Sequence, residues 1–133
     1  MTAIRQDIDE GFFSGNQKYI RVFVKDDDGN PKSLTGGEAS YVMVTDAGVI
    51  VVRKSSYAGI SEIEFVDEAA GELVVKVTSL DSSQLSGTYR HQLNFVDSNG
   101  DEETVMAGKV DISKSYARRY RYSSIHAFLQ GTA

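Results

Sequence analysis

Tyrosine and arginine alternate near the C-terminal end of the sequence, and this segment carries the side chains best suited to binding a partner. Both residue types are enriched at the energetic centres of protein interfaces, because each combines a large contact area with hydrogen-bonding groups. The same pair could bind nucleic acid, with arginine on phosphate and tyrosine stacked on bases. The candidate partner-binding residues are Tyr116, Arg118, Arg119, Tyr120, Arg121, Tyr122 and Phe128.

The charge distribution favours a protein as the partner of this segment. Residues 114–133 contain four basic residues and no acid, a charge of +4, whereas residues 1–113 contain ten basic and nineteen acidic residues, a charge of −9. An acidic body repels phosphate backbones and anionic lipid. We therefore favour a protein partner over nucleic acid and expect no membrane role. Residues 114–129 fit either a helix or an extended arm, and the sequence leaves both open.

The other residues that could do chemistry lack the spacing that catalysis or metal binding requires. Cysteine is absent, and the two histidines, His91 and His126, lie 35 positions apart. A calcium loop beginning at Asp26 would place Pro31 where the sharp turn requires glycine. No Gly-x-Ser-x-Gly motif marks a serine nucleophile. We therefore expect a protein that is not an enzyme and has no metal and no cofactor.

Gly87, Tyr89 and His91 form the most informative group within the body of the chain. In immunoglobulin-like sandwiches, a tyrosine near the start of the penultimate strand can form a tyrosine corner, in which the phenol hydrogen-bonds upstream backbone. His91 stands where antibody-like domains place a cysteine, which fits a cysteine-free version of that fold. We predict structural roles for all three residues. The alternative for Tyr89 is an ordinary core tyrosine with its hydroxyl at the rim.

The elements that must position these residues are short strands. Valine and isoleucine outnumber leucine by 22 to 6, and β-branched residues favour strands. Alternation of apolar and polar residues predicts seven strands, with Tyr89 and His91 on an inward face. The predicted strands cover residues 18–25, 38–45, 49–54, 60–66, 73–78, 88–96 and 103–112. The predicted fold is an all-β, immunoglobulin-like antiparallel β-sandwich of about seven strands.

The chain length of 133 residues fits one such domain with less regular ends. We assign residues 1–17 to an N-terminal arm or edge strand, residues 18–113 to the sandwich, and residues 114–133 to a basic, aromatic C-terminal arm. No apolar run approaches the ~20 residues that a membrane-spanning helix requires, and the N-terminus lacks the apolar stretch of a secretory signal.

Two stretches of the body resemble the immunoglobulin-like domains of tailed-bacteriophage virion proteins, of the type found at the N-terminus of baseplate upper proteins and in related head and tail accessory proteins. The first is the turn and Leu34-Thr35-Gly36 step within residues 28–36. The second covers residues 85–93 and continues through the turn at 97–100 to Thr104-Val105 and Gly108-Lys109-Val110.

This resemblance covers about residues 5 to 113 and implies a non-enzymatic adaptor. Such a protein docks on neighbouring capsid, neck, tail or baseplate proteins in a multicopy symmetric assembly. Its location is the virion, after synthesis in the host cytoplasm. The segment beyond Ser113 departs from the family pattern, so the resemblance implies no partner for it.

A second hypothesis is a stand-alone adhesive or carbohydrate-binding sandwich. Exposed aromatic residues would form the platform for a glycan, and the candidates are Tyr57, or Phe12 together with Phe13. The two hypotheses differ in the part of the chain that binds. The adaptor requires its C-terminal arm, whereas the adhesin binds through the folded body alone.

Overall fold

The computed structural model describes residues 3–117, which form eight strands in two sheets. A single 3-10 turn, Ser56–Ala58, follows the fourth strand, and a one-turn helix, α1 (Ser79–Ser82), precedes the seventh. The strands are β1 (Ile4–Arg5), β2 (Lys18–Phe23), β3 (Glu38–Val44), β4 (Ile50–Ser55), β5 (Ile63–Asp67), β6 (Glu72–Val77), β7 (Gly87–Val96) and β8 (Glu102–Ile112).

The two sheets contain five and three strands. The larger sheet has the order β1-β8-β7-β3-β4, and the smaller has the order β2-β6-β5. All neighbouring strands are antiparallel except β1, which runs parallel to β8. With β4 as an additional edge strand, β2, β5 and β6 take the places of immunoglobulin strands B, D and E, and β3, β7 and β8 take those of C, F and G. The first strand departs from that arrangement, because β1 pairs with β8 in the larger sheet. The predicted all-β sandwich is therefore confirmed.

Strands β2 to β8 correspond to the seven strands expected from alternation, and the N-terminal segment adds an eighth. After β1, Ile8 bridges Val110 and Phe13 bridges Ser113, so this segment follows β8 along most of its length. Phe12 is only 1% exposed and belongs to the core. Residues 4–13 therefore contribute an edge strand and core side chains to the sandwich.

A glycine allows the N-terminal segment to lie this close to β8. Gly108 faces inward opposite His91, and a Cβ atom at this position would collide with the carbonyl oxygen of Gln6. The backbone of the segment occupies the space that a side chain would fill elsewhere in the strand. Gly108 therefore sets the path of residues 6 and 7 between the two sheets.

The interior is formed by the alternating residues of both sheets. In β7, Tyr89, His91, Leu93 and Phe95 are buried, while the residues between them point outward and are more exposed. Each fully buried apolar side chain contributes about 1.5–3 kcal/mol to stability. The inward direction predicted for Tyr89 and His91 is the direction they take in the structure.

Three connections meet at one end of the sandwich, which we call the turn end: residues 24–37, 68–71 and 97–101. Leu34 N donates to Glu68 O at 2.9 Å, and Val24 N donates to Gly71 O at 2.8 Å. Lys32 Nζ lies 3.9 Å from a carboxylate oxygen of Asp97. These contacts bring the β2–β3, β5–β6 and β7–β8 connections together.

The chain leaves the sandwich at the opposite end, which we call the exit end. Ser14 N donates to Ser113 O at 2.8 Å, and Ser115 N donates to Ser14 Oγ at 3.1 Å. Gly15 N donates to Ser82 Oγ at 3.0 Å, which joins the β6–β7 connection to the same end. The C-terminal segment is therefore anchored as far as Ser115.

Candidate interaction surface

The C-terminal segment begins at the exit end with an exposed tyrosine. Tyr116 is 87% exposed and follows Ser115, which is held by Ser14. The six other predicted partner-binding residues lie outside the described residues: Arg118, Arg119, Tyr120, Arg121, Tyr122 and Phe128. The structure thus locates the start of the segment, and the roles of its residues stay a prediction.

Tyr89 has the geometry of a tyrosine corner. Its hydroxyl donates to Ser86 O at 2.9 Å and accepts from Ser86 N at 3.1 Å. Between them, Gly87 has a φ of 106°, a conformation that side-chain-bearing residues rarely adopt. The phenol therefore ties the β6–β7 connection to the start of β7, and its only hydrogen is used within the protein.

His91 is held in a buried hydrogen-bonded chain with Tyr41 and Gln6. Its Nε2 lies 2.6 Å from Gln6 O, and because a carbonyl oxygen only accepts, Nε2 must carry the proton. Nδ1 of the neutral ring then accepts from the Tyr41 hydroxyl at 3.0 Å. The chain joins β3, β7 and the N-terminal segment. Tyr41 was not singled out from the sequence, because alternation gives its direction but not its partner.

Burial keeps both aromatic partners of this chain uncharged. It lowers the pKa of His91, opposed by the hydrogen bond to Gln6 and by the carboxylate of Asp7. Burial also raises the pKa of Tyr41. Both shifts favour the neutral forms that these hydrogen bonds require.

The lowered pKa of His91 predicts a loss of stability in mild acid. The unfolded chain binds a proton near pH 6.5, whereas folded His91 resists it, so this contribution is present above about pH 6.5 and is lost as the pH falls below that value. The urea midpoint should therefore fall more between pH 7.5 and 5.5 in the natural protein than in His91→Gln. The glutamine amide can accept from Tyr41 and donate to Gln6, and His126 is common to both proteins. Equal falls in the two proteins would contradict the prediction.

A buried lysine lies on the inward face of β4, near the end of that strand. Lys54 is 7% exposed, and its Nζ lies 2.6 Å from the carboxylate of Asp81 in α1. Burial raises the pKa of Asp81, but the hydrogen bonds from Lys54 and Thr78 outweigh it and leave that pKa lowered. Alternation along β4 places Lys54 on the same face as the buried Val52, and this is the sequence signal for its burial. This ion pair links the larger sheet to the β6–β7 connection.

An open groove of about 600 Å³ lies beside β1, β7 and β8 and contains three basic side chains. Each of them lies within 4 Å of a carboxylate. The pairs are Arg5–Asp7, Arg90–Asp46 and Lys109–Asp111, at 3.0, 3.8 and 3.8 Å. The positive charges of the groove are therefore balanced locally, and the groove is not a strong site for an anion.

The outer face of the smaller sheet combines exposed apolar residues with ion pairs, and we call it the three-strand face. Phe23 of β2 and Val66 of β5 are 45% and 47% exposed, while Val74 of β6 lies between the flanking strands. Two ion pairs, Arg21–Glu72 and Glu64–Lys76, cross between strands. The face consists of Tyr19, Arg21, Phe23, Glu64, Val66, Glu72, Val74 and Lys76.

The prediction that Phe12 and Phe13 together form an exposed platform for a glycan is wrong. Phe12 is buried in the core, whereas its neighbour Phe13 is partly exposed, because successive residues of an extended chain point in opposite directions. The two rings cannot form one surface. Tyr57, in the 3-10 turn, is exposed, and the structure does not pair it with either phenylalanine.

The acidic turns hold backbone amides. Asp26 Oδ1 accepts from the N–H groups of Asp28 and Asn30 at 3.0 and 2.9 Å. Asp97 Oδ1 does the same for Asn99 and Asp101 at 2.9 and 3.0 Å. Within residues 3–117, no group of three or more histidine or acidic side chains could hold a metal ion. In the same part of the chain, no helix has the length and apolar character needed to cross a membrane.

The chain matches no family model and no curated protein. Among solved structures, it is similar to CopC from Methylosinus trichosporium OB3b, with 12% sequence identity over 73% of this chain and 90% of CopC, and a TM-score of 0.39. A likeness of this degree carries no argument about function.

Proposed function

We propose that this protein is a non-enzymatic structural component of a tailed-phage virion that docks on neighbouring particle proteins. Contact would be made through surface strands of the sandwich and through the C-terminal segment. The observation that carries the proposal is the position at which that segment begins. It leaves the sandwich at the exit end after Ser115, and its next residue, Tyr116, is exposed. The virion assignment itself comes from the sequence resemblance over residues 5 to 113.

The interior of the sandwich supports a binding role over catalysis. The four buried polar residues of the described chain, Ser14, Lys54, Ser82 and His91, each bond to another part of the protein. Catalytic groups are usually left partly unsatisfied in a cleft and have perturbed pKa values there. Here His91, whose pKa is lowered, has both ring nitrogens hydrogen-bonded within the protein. The side chains available to bind a partner therefore lie on the surface.

Neutralising the arginines of the C-terminal segment should abolish incorporation into particles while leaving the fold intact. Exposed arginines outside the core contribute little to stability but much to an interface. In Arg118→Gln/Arg119→Gln/Arg121→Gln, we expect the melting temperature to change by no more than about 1 °C. Electron microscopy and quantification of purified particles should show the chain missing, and Lys114→Gln is the matched control on the same segment.

Two results would contradict the proposal. Particles that contain the triple variant at the natural level would show that the segment is not the docking element. Particles that never contain the natural chain would remove the virion assignment. Glycan binding by the triple variant, equal to that of the natural protein, would favour the adhesive alternative instead.

A further inference from the structure

We propose that copies of this protein associate head to tail, with the C-terminal segment of one copy docked on the turn-end half of the three-strand face of the next copy. The inference rests on the proposed assembly function and names the surface and the partner. It is carried by a sheet face that is exposed among the described residues 3–117, by charge complementarity and by the reach of the chain beyond Ser115.

The docking surface carries two exposed apolar side chains around the Arg21–Glu72 ion pair and is acidic at its border. Phe23 of β2 and Val66 of β5 are exposed on either side of β6 near the turn end, where β2 and β5 finish. Val66 is the extra residue of a β-bulge, since the next residue, Asp67, is the one that pairs with Glu72. Glu68 follows in the same exposed turn. Apolar contact for tyrosine rings therefore adjoins carboxylates that arginine can pair with.

The turn end and the strand ends that flank it are strongly acidic. Residues 24–38, 66–71 and 96–103 contain ten acidic residues and only two lysines, Lys25 and Lys32. The acidic residues are Asp26, Asp27, Asp28, Glu38, Asp67, Glu68, Asp97, Asp101, Glu102 and Glu103. Most of the negative charge of the body is thus at the end opposite the basic segment. Such a charge distribution orients one copy against the next and speeds their encounter.

The part of the segment that carries the alternating tyrosines and arginines, residues 116–122, does not reach this end of its own sandwich. Strand β8 runs from the turn end to the exit end, and its eleven residues span about 33 Å. The backbone between Ser115, which is anchored, and Tyr122 covers at most about 25 Å when fully extended. The alternating tyrosines and arginines therefore meet the acidic turn end only on another copy.

Head-to-tail docking uses two different surfaces, the C-terminal segment of one copy and the three-strand face of the next. Repetition of such a heterologous contact closes into a ring or continues as a filament, according to the rotation between copies. Either outcome gives the multicopy symmetric assembly expected of a virion component. The contact would weaken with added salt, because exposed charges are screened over about 10 Å at 0.1 M ionic strength.

A charge-swap experiment with full-length chains tests the inference. One variant, Arg118→Glu/Arg119→Glu/Arg121→Glu, reverses the charge of the C-terminal segment. The other variant, Asp67→Lys/Glu68→Lys, reverses the charge at the border of the three-strand face. In sedimentation velocity at low salt, the natural protein should self-associate, and each variant alone should associate at least 10-fold more weakly. An equimolar mixture of the two should regain association, since each segment then meets a face of opposite charge.

Two matched controls separate this result from general changes in charge or folding. Asp9→Lys/Asp46→Lys makes the same charge change at exposed sites away from the turn end and should leave association unchanged. Phe23→Ser should weaken association at least 10-fold, whereas Phe13→Ser, at the exit end, should not. Melting curves must show that each variant is folded.

The proposal is overturned if the natural protein stays monomeric under these conditions, or if the mixture of charge-swapped variants associates no better than either alone. The second result would be expected if the segment docked within its own copy. Neither result would remove the proposed virion function, which is decided separately by the presence of the chain in particles.

Discussion

Replacing Tyr89 with alanine should lower the free energy of unfolding by about 3 kcal/mol or more. The substitution removes a buried aromatic ring, leaves a cavity at the start of β7, and deletes both hydrogen bonds to Ser86. Because the turn at Gly87 depends on that contact, the β6–β7 connection should also lose its order. Urea denaturation followed by circular dichroism measures the change.

Tyr89→Phe is the matched control for this prediction. It keeps the ring and removes only the hydroxyl, so its cost should be about 1–2 kcal/mol. A Tyr89→Ala protein with natural stability but without binding activity would show that Tyr89 belongs to a functional surface. The prediction therefore also separates a structural tyrosine corner from a binding site.

Replacing Asp81 with asparagine should destabilise the protein by about 3 kcal/mol, because it leaves the ammonium group of Lys54 buried without its counter-charge. Asparagine keeps an oxygen that can accept from Thr78 N, so the cap of α1 is largely preserved. Asp81→Asn therefore mainly removes the negative charge that faces Lys54. The urea midpoint at pH 7 is again the measurement.

Two further variants identify the cause of this effect. Thr78→Ala removes the capping hydroxyl but not the ion pair and should cost only about 1 kcal/mol. Lys54→Met/Asp81→Asn removes both charges and should recover most of the stability lost in Asp81→Asn. If the double variant were as unstable as Asp81→Asn, the buried charge would not be the reason.

These stability predictions concern residues that hold the sandwich together, and the binding proposals concern residues that do not. Tyr89, His91 and Lys54 have their polar atoms bonded inside the protein. Phe23 and Val66 are exposed on a sheet face. A variant that loses assembly but not stability should therefore map to the second group, which gives the two sets of experiments independent outcomes.

The sequence by itself determined the class of fold and the direction of most side chains. A strand has a period of two residues, so alternation in β7 was enough to place Tyr89, His91, Leu93 and Phe95 on one face. Turn residues such as Asp97 and Gly100 marked the ends of the strands, because their local conformations are set by neighbouring residues. The unequal charge of body and C-terminal segment was also readable without a structure.

Only the tertiary structure decided which distant residues meet. The N-terminal segment has no regular alternation, and its burial depends on Gly108, which is about a hundred residues away and leaves room for its backbone. Likewise, alternation could indicate that Lys54 points inward, but its partner Asp81 lies on a separate connection. The acidic turn end arises because three turns, separated in the chain, are brought together by the pairing of two sheets. Local periodicity carries no information on such long-range contacts, which form only when the sheets pack.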